Sequence, residues 1–302
     1  MTFFDSKLEF LEYIKSYCAK DTIDYYSINL ELFEKYLIEK YRSIMIEVQD
    51  FTKSDFIGYI AYLRQKDIKN TSIRTYSRAI KVYLRYLYSE GYLMEDVTQN
   101  VKYPQSDAEM IMPLTAQDVK KITGSMISPR NRIIFHLMID CGMRSGEVCR
   151  LNKKDVDMEK SLIRINNSKN NKSRILPLPD FIKDLIIKYE WHRFDNSPAL
   201  LVCENQSERI TGYVIKNMFT RLKKINPNVH AHLLRHTFAT SYIMGGGNLE
   251  TLRIFMGHSN YETTRGYIHL ANQLELLHYD IYRLDKCMFS FLQAYTGMDS
   301  KE

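Results

Sequence analysis

SLIRINNSKNNKSRILPLP, residues 161–179, is the stretch whose reading decides the fold. Ile163 and Ile165 alternate with polar neighbours, the period of two that a half-buried strand requires. Asn170-Asn171 follows, a pair suited to a tight turn because asparagine tolerates positive φ. The stretch therefore predicts a β-hairpin. Nothing else in the chain reads as β, so the expected fold class is mainly α with a small β-sheet or hairpin.

The flanks are helical in pattern. NRIIFHLMIDCGMRSGEVCRL (131–151) is expected to be helix broken at Gly142, and the chain returns to helices after Pro179. Thr115 with Asp118 looks like a capping pair at a helix start. Just before it, NVKYPQSDAEMIMPL (100–114) loses periodicity and carries Pro104 and Pro113, as a linker does. The predicted domains are a helical domain over 1–100, a linker over 101–113 and a second domain, α+β, over 114–302.

In the first domain SKLEFLEYIKSYC (6–18) and INLELFEKYLIEK (28–40) place apolar residues three and four apart. Thr52 and Asp55 again suggest a capping pair. Over 71–93, Ile73, Tyr76, Ile80, Leu84 and Leu87 form one stripe of a helix. Arg74, Arg78, Lys81 and Arg85 form another within a narrow arc, with no acidic residue between Thr71 and Ser89. Such a row is commonly a solvated face; it also suits contact with a phosphate backbone.

Composition sets the outer limits. The 302 residues are 45% hydrophobic and 26% charged, as in ordinary soluble proteins. No apolar run approaches the roughly 20 residues of a membrane span, and no signal-peptide pattern opens the chain. Cys18, Cys141, Cys149, Cys203 and Cys287 are odd in number and unpaired in spacing, which suggests reduced thiols in a cytoplasm. The formal charge of +6 resides in the second part, because residues 1–104 hold 15 basic and 15 acidic side chains. A basic balance suits a polyanionic partner, though many enzymes share it.

Several residue sets could carry chemistry. CGMRSGE sets Arg144 and Glu147 three apart, on one face of a helix expected to start after Gly142. Lys169 falls beside the hairpin turn. HAHLLRHTFAT (230–240) sets His232 and Arg235 three apart, with His236 next. A metal site at His230, His232 and His236 competes with that reading, but no carboxylate or cysteine is near and Arg235 would bring a cation to the ligands. His236 alone reads best as a satisfied core histidine. MGHSNYETTRGYIHL (256–270) supplies His258 and Tyr267; with 22 tyrosines in the chain, packing is the default for any one of them.

The order Arg…Lys…His-x-x-Arg…Gly-His…Tyr, with HLLRHTFAT and MGHSNYETTRGYIHL nearly intact, resembles the tyrosine recombinase (phage integrase) family. The likeness is nearest to Xer recombinases and short integrases of mobile elements. It spans roughly 110–270. The first domain matches the family's SAM-like core-binding domain by pattern and position.

The resemblance implies site-specific recombination through a 3′-phosphotyrosine intermediate, with Tyr267 as nucleophile. Arg144 and Arg235 would clamp the scissile phosphate, since a guanidinium donates two parallel hydrogen bonds and keeps its charge. His258 would add a third contact, His232 would assist proton transfer at Tyr267, and Lys169 would protonate the leaving 5′-oxygen. Glu147 is expected to hold a catalytic neighbour, and Arg74, Arg78, Lys81 and Arg85 to contact DNA. No cofactor or metal is expected, because the covalent link stores the bond energy.

The expected partners are double-stranded DNA carrying short inverted-repeat core sites and, on paired sites, three further copies of the chain. The protein alone would be monomeric and would not engage membranes. At this length little room remains for an added arm-binding domain. Two alternatives stand beside this reading: a type IB topoisomerase-like nicking-closing enzyme, and a DNA-binding relic without activity. Leu274, Leu277, Ile281, Leu284, Met288 and Phe291 form an apolar stripe, expected either to dock at home or to pass to a neighbour. Gly266 would loosen the helix beside Tyr267, and Asn170 stands where the family often has glycine.

Overall fold

The computed structural model describes residues 1–105, 111–166, 173–204 and 208–276. The chain divides into two compact units, Met1–Met110 and Ile111–Glu302. Among the described residues no helix is long and apolar enough to cross a membrane.

Among the described residues the first unit holds four α-helices: α1 (Phe3–Lys15), α2 (Lys20–Tyr41), α3 (Lys53–Gln65) and α4 (Asn70–Ser89). Its core mixes aliphatic with many aromatic side chains, among them Phe3, Phe10, Phe33, Tyr59 and Tyr83, buried and in edge-on contacts. The helix expected from 28 begins at Lys20, a full two turns earlier. Thr52 and Asp55 do form a capping box, with Asp55 accepting from the Thr52 N–H and hydroxyl.

In α4 the apolar stripe is buried at Ile73, Ile80, Leu84 and Leu87. Arg74, Arg78 and Arg85 are exposed and Lys81 half-buried. The basic row is not wholly free, since Arg85 lies 3.5 Å from a carboxylate oxygen of Asp96, a partner beyond the helix.

The second unit opens with α5 (Ala116–Gly124), started by a Thr115–Asp118 capping box. Ser128 caps α6 (Pro129–Ile139), whose first residue is a proline, where the missing N–H costs nothing. From Ile133 to Ile139 helix α6 is buried at every position but His136, and this part lies in the core. A short α7 (Ser145–Arg150) follows.

A three-stranded antiparallel sheet comes next: β1 (Val156–Asp157), β2 (Leu162–Ile165) and β3 (Arg174–Pro177), in that order. Ile163 pairs with Leu176 and Ile165 with Arg174, so all four face inward. The hairpin is thus present, with β1 as an added edge that two residues were too few to announce. The Asn170-Asn171 turn lies outside the described residues.

Among the described residues five more helices follow: α8 (Asp180–Trp191), α9 (Gly212–Leu222), α10 (Ala231–Met244), α11 (Leu249–Met256) and α12 (Tyr261–Leu276). Helix α10 is the second buried helix and packs on α6, α11 and α12. Of the apolar C-terminal stripe, Leu274 is 1% exposed and packs with Leu270 and Ala271 against Met244 of its own unit. Leu277 and the rest of that stripe lie outside the described residues.

Candidate active site

The site forms where the C-terminal end of α6 meets the first turns of α7 and α10, the end of α11 and the middle of α12. Two glycines shape it. Gly142 turns the chain after α6 at φ +64°, and a Cβ there would stand 2.5 Å from the Phe238 ring. Gly257 ends α11 at φ +57°, where a Cβ would meet Arg174 at 3.1 Å and Arg144 at 3.5 Å. Both positions suit glycine, which alone enters the left-handed region without steric cost.

Arg235, on α10, is 5% exposed. Its terminal nitrogens donate to the carbonyls of Gly142 and Met256, so one guanidinium ties the end of α6 to the end of α11. One of them also lies 3.3 Å from Nε2 of His258. Burial, and then the charge of Arg144, push the Arg235 guanidinium down to about 9, which leaves it a cation at neutral pH.

Arg144 is not on the helix expected to start after Gly142. It is the extended residue capping α7, which starts at Ser145. Glu147 explains why: its carboxylate folds back to accept the Arg144 N–H at 2.8 Å, satisfying an otherwise orphaned donor. Released from the helix face, the Arg144 side chain is 38% exposed and reaches Glu147 Oε1 at 3.2 Å and the Gly257 carbonyl at 3.3 Å.

The main partner of Glu147 is a residue the sequence reading passed over. Arg174 donates Nη1 to Oε1 and Nη2 to Oε2, at 2.8 Å each, and Nε to the Phe255 carbonyl. Burial alone would raise the Glu147 carboxyl. The hydrogen bonds and charge of Arg174, helped by Arg144, outweigh it and hold the group down at about 2. One signal could have found Arg174: it shares the inward phase of β3 with Leu176, and a cation in a core slot demands a buried partner.

His258 sits between Arg235 and Thr264 of α12, its Nδ1 2.9 Å from the buried Thr264 hydroxyl. Arginine can only donate, so Nε2 accepts and Nδ1 carries the proton. The electrostatics agree: burial, then Arg235, Arg144 and Arg174, push the ring down to about 4. Thr264 carried no sequence signal beyond standing three residues before Tyr267.

Tyr267 packs half-buried against the core of the second unit, its ring 5.0 Å from that of His236. Burial raises its hydroxyl above the ordinary tyrosine range, against the opposing fields of Arg235 and Arg144. His232, on the first turn of α10, is held below the usual histidine range by partial burial of its ring, then by His230, Arg235 and Arg144.

The structure therefore brings together Arg144, Glu147, His232, Arg235, His258 and Tyr267. Lys169 lies outside the described residues. Arg74, Arg78, Lys81 and Arg85 belong to the first unit. Two of the three histidines of the rival metal reading are engaged separately: Nδ1 of His230 with the Asn228 carbonyl and Nε2 of His236 with that of Ile111. Among the described residues no group of His, Cys, Asp and Glu is placed to hold a metal.

Comparison with known proteins identifies the family. The phage integrase family profile matches residues 112–273, and that of the phage integrase N-terminal SAM-like domain matches 8–91. The chain is 34% identical to tyrosine recombinase XerA of Thermococcus onnurineus, over 70% of this chain and 75% of that one. It is 25% identical to XerC of Chlamydia caviae over 88% and 94% of the two chains. Among solved structures it is similar in fold to the Tn1549 transposon integrase in complex with a circular intermediate DNA. There the TM-score is 0.73 at 19% identity, covering 92% of this chain and 99% of that one. A lambda integrase dimer bound to a core site gives 0.72 at 15% identity, with 89% and 95% covered.

Proposed function

The chain belongs to the phage integrase family, a tyrosine recombinase that cleaves and rejoins DNA at specific sites, and from that premise we propose how its residues divide the work. Tyr267 attacks the scissile phosphorus through its hydroxyl oxygen. A bond forms from that oxygen to phosphorus, and the bond from phosphorus to the 5′-oxygen breaks. The product is a 3′-phosphotyrosine and a free 5′-hydroxyl; a 5′-hydroxyl from the partner duplex reverses the step and exchanges strands. The phosphotyrosine link conserves the bond energy.

Arg144 and Arg235 clamp the non-bridging oxygens, where negative charge grows in the transition state. The difference in their exposure suits this work. Arg235 is fixed by backbone carbonyls and acts as a preorganised donor, while the more open Arg144 can turn to meet the phosphate. Burial, and then the cationic field of Arg235, Arg144 and Arg174, depresses His258; an arriving phosphate offsets that field and so favours a protonated ring that donates from Nε2.

His232, neutral at pH 7, can accept the proton that burial keeps on Tyr267. Lys169 protonates the leaving 5′-oxygen. Glu147 holds the Arg144 backbone and guanidinium in place. The exposed cations of α4 contact phosphates of the duplex, with Arg85 giving up Asp96 to do so.

Residues 1–100 act as the core-binding domain, 101–113 as linker and 114–302 as the catalytic domain, whose end passes to a neighbouring copy. The chain assembles as a tetramer on paired core sites with short inverted repeats, and acts in the cytoplasm.

The observation that carries this reading is the meeting of Arg144, Arg235, His258 and Tyr267 from three separate stretches of sequence, with Arg235 3.3 Å from Nε2 of His258 and the charges of Arg235 and Arg144 both acting on Tyr267. Its test begins with a half-site selected by the protein from a random duplex pool. A nicked duplex carrying that site should trap wild-type protein in a denaturation-resistant adduct. Tyr267→Phe should bind with similar affinity and form none. Adduct formation by the Phe variant at the wild-type level would assign the nucleophile elsewhere.

A further inference from the structure

Helix α10 grips the segment with which the second unit begins. His236 Nε2 lies 2.9 Å from the Ile111 carbonyl, and the Leu114 N–H donates to the Thr237 hydroxyl at 2.9 Å. A carbonyl only accepts, so Nε2 bears the proton and the ring's tautomer is fixed. Burial holds the ring below the usual histidine range, although the Ile111 bond opposes it, so the imidazole is neutral at pH 7.

The same ring lies against Tyr267, with centroids 5.0 Å apart and planes tilted by 53°. That spacing is typical of a favourable aromatic pair. Helix α12 is thus held at two points on one face: Thr264 by His258, and Tyr267, three residues on, by His236. Between them Gly266 has nothing within 4 Å of where a Cβ would stand. Its later residues Leu270, Ala271 and Leu274 pack on Met244, so around Gly266 the two histidine contacts are what fix the register of Tyr267.

We infer that His236 is a positioning residue for Tyr267. Fixed through the Ile111 carbonyl, its ring is the seat on which the tyrosine ring rests. This rests on the reading of Tyr267 as nucleophile. The role differs from that of a satisfied core histidine, because the ring face, not only its hydrogen bond, does the work. It also ties the nucleophile's seat to the first residues of the catalytic unit, Ile111 to Leu114.

The experiment compares His236→Ala, His236→Phe and His236→Gln in single-turnover cleavage of the nicked, selected half-site at saturating protein. Binding affinity and melting temperature are measured alongside. Wild-type adduct, absent from Tyr267→Phe, establishes the underlying reading separately.

His236→Ala should cleave roughly tenfold more slowly with affinity unchanged, the loss expected for one aromatic pair of about 1.4 kcal/mol. His236→Phe keeps a ring and should recover to within about threefold of wild type. His236→Gln, which keeps only a donor, should stay slow. Cleavage by His236→Ala at the wild-type rate would overturn the inference. So would equal rates for the Phe and Gln variants, or recovery by Gln and not by Phe. If His236→Ala folds poorly, the order of the Phe and Gln rates alone decides.

Discussion

Glu147 and Arg174 form a bidentate ion pair, Nη1 to Oε1 and Nη2 to Oε2 at 2.8 Å each, with both side chains buried. Arg144 leans on the same carboxylate through its N–H and its guanidinium. Removing one partner of such a pair strands the other charge without water, at a cost of about 3–5 kcal/mol. Arg174→Met and Glu147→Gln should therefore each lower the melting temperature markedly. The double variant should lose less than the sum of the two, because the partners are coupled.

The same pair makes stability depend on acid. The folded Glu147 carboxyl sits at about 2, below the ordinary glutamate value of 4.5. A depressed carboxyl contributes stability that is fully present above the unfolded value and is lost as pH falls through the folded one. The contribution is on the order of 3 kcal/mol. Melting curves taken between pH 5 and pH 2, the window those two values set, should steepen their decline in wild type and flatten in Glu147→Gln. A parallel decline in both would remove Glu147 from the account.

Arg235→Lys and Arg144→Lys should separate the two halves of the clamp. Both keep the charge and lose the fork, so each should slow cleavage by roughly 10²–10³. Arg235 also bridges the Gly142 and Met256 carbonyls, which a single ammonium cannot span. Its variant should melt earlier than wild type. Arg144→Lys, more exposed, should melt nearly as wild type does. A cleavage rate kept by either variant would take that residue out of the clamp.

Gly257→Ala and Gly266→Ala should act in opposite directions on stability. At 257 the methyl meets Arg174 at 3.1 Å in a left-handed backbone, so stability and cleavage should both fall. At 266 the methyl enters open space on a helix, so it should stabilise by about 0.5–1 kcal/mol, or roughly 2–3 °C in melting temperature. If α12 must flex at this point to deliver Tyr267, that gain should come with slower cleavage at unchanged affinity. Cleavage at the wild-type rate would show that the flexing is not needed.

Removing residues 277–302 should spare binding to a single half-site and abolish cooperative binding and strand exchange on paired sites. The cut belongs after Leu276 because Leu274 fills the catalytic unit's own core against Met244. A cut at 274 would confound a lost neighbour contact with a damaged core. Gel-shift titration on single and paired sites reads the difference, and normal recombination by the shortened protein would refute passage of the tail to a neighbour.

The sequence by itself determined the hairpin, the capping pairs at Thr115 and Thr52 and the core face of α4. Each depends on residues a few positions apart, whose side chains must share a face for any strand or helix to bury. It determined the family too, because the order and spacing of Arg144, His232, Arg235, His258 and Tyr267 survive in a linear string.

What only the tertiary structure decided is how those residues are held. That Arg144 leaves its helix to cap it follows from a carboxylate pinned by Arg174, 27 residues away. That Arg235 joins two helix ends, and that His236 lies under Tyr267, depends on α6, α10, α11 and α12 converging. A buried charge is stable only if its partners arrive from elsewhere in the chain, and sequence spacing carries no record of which segments the core will bring together.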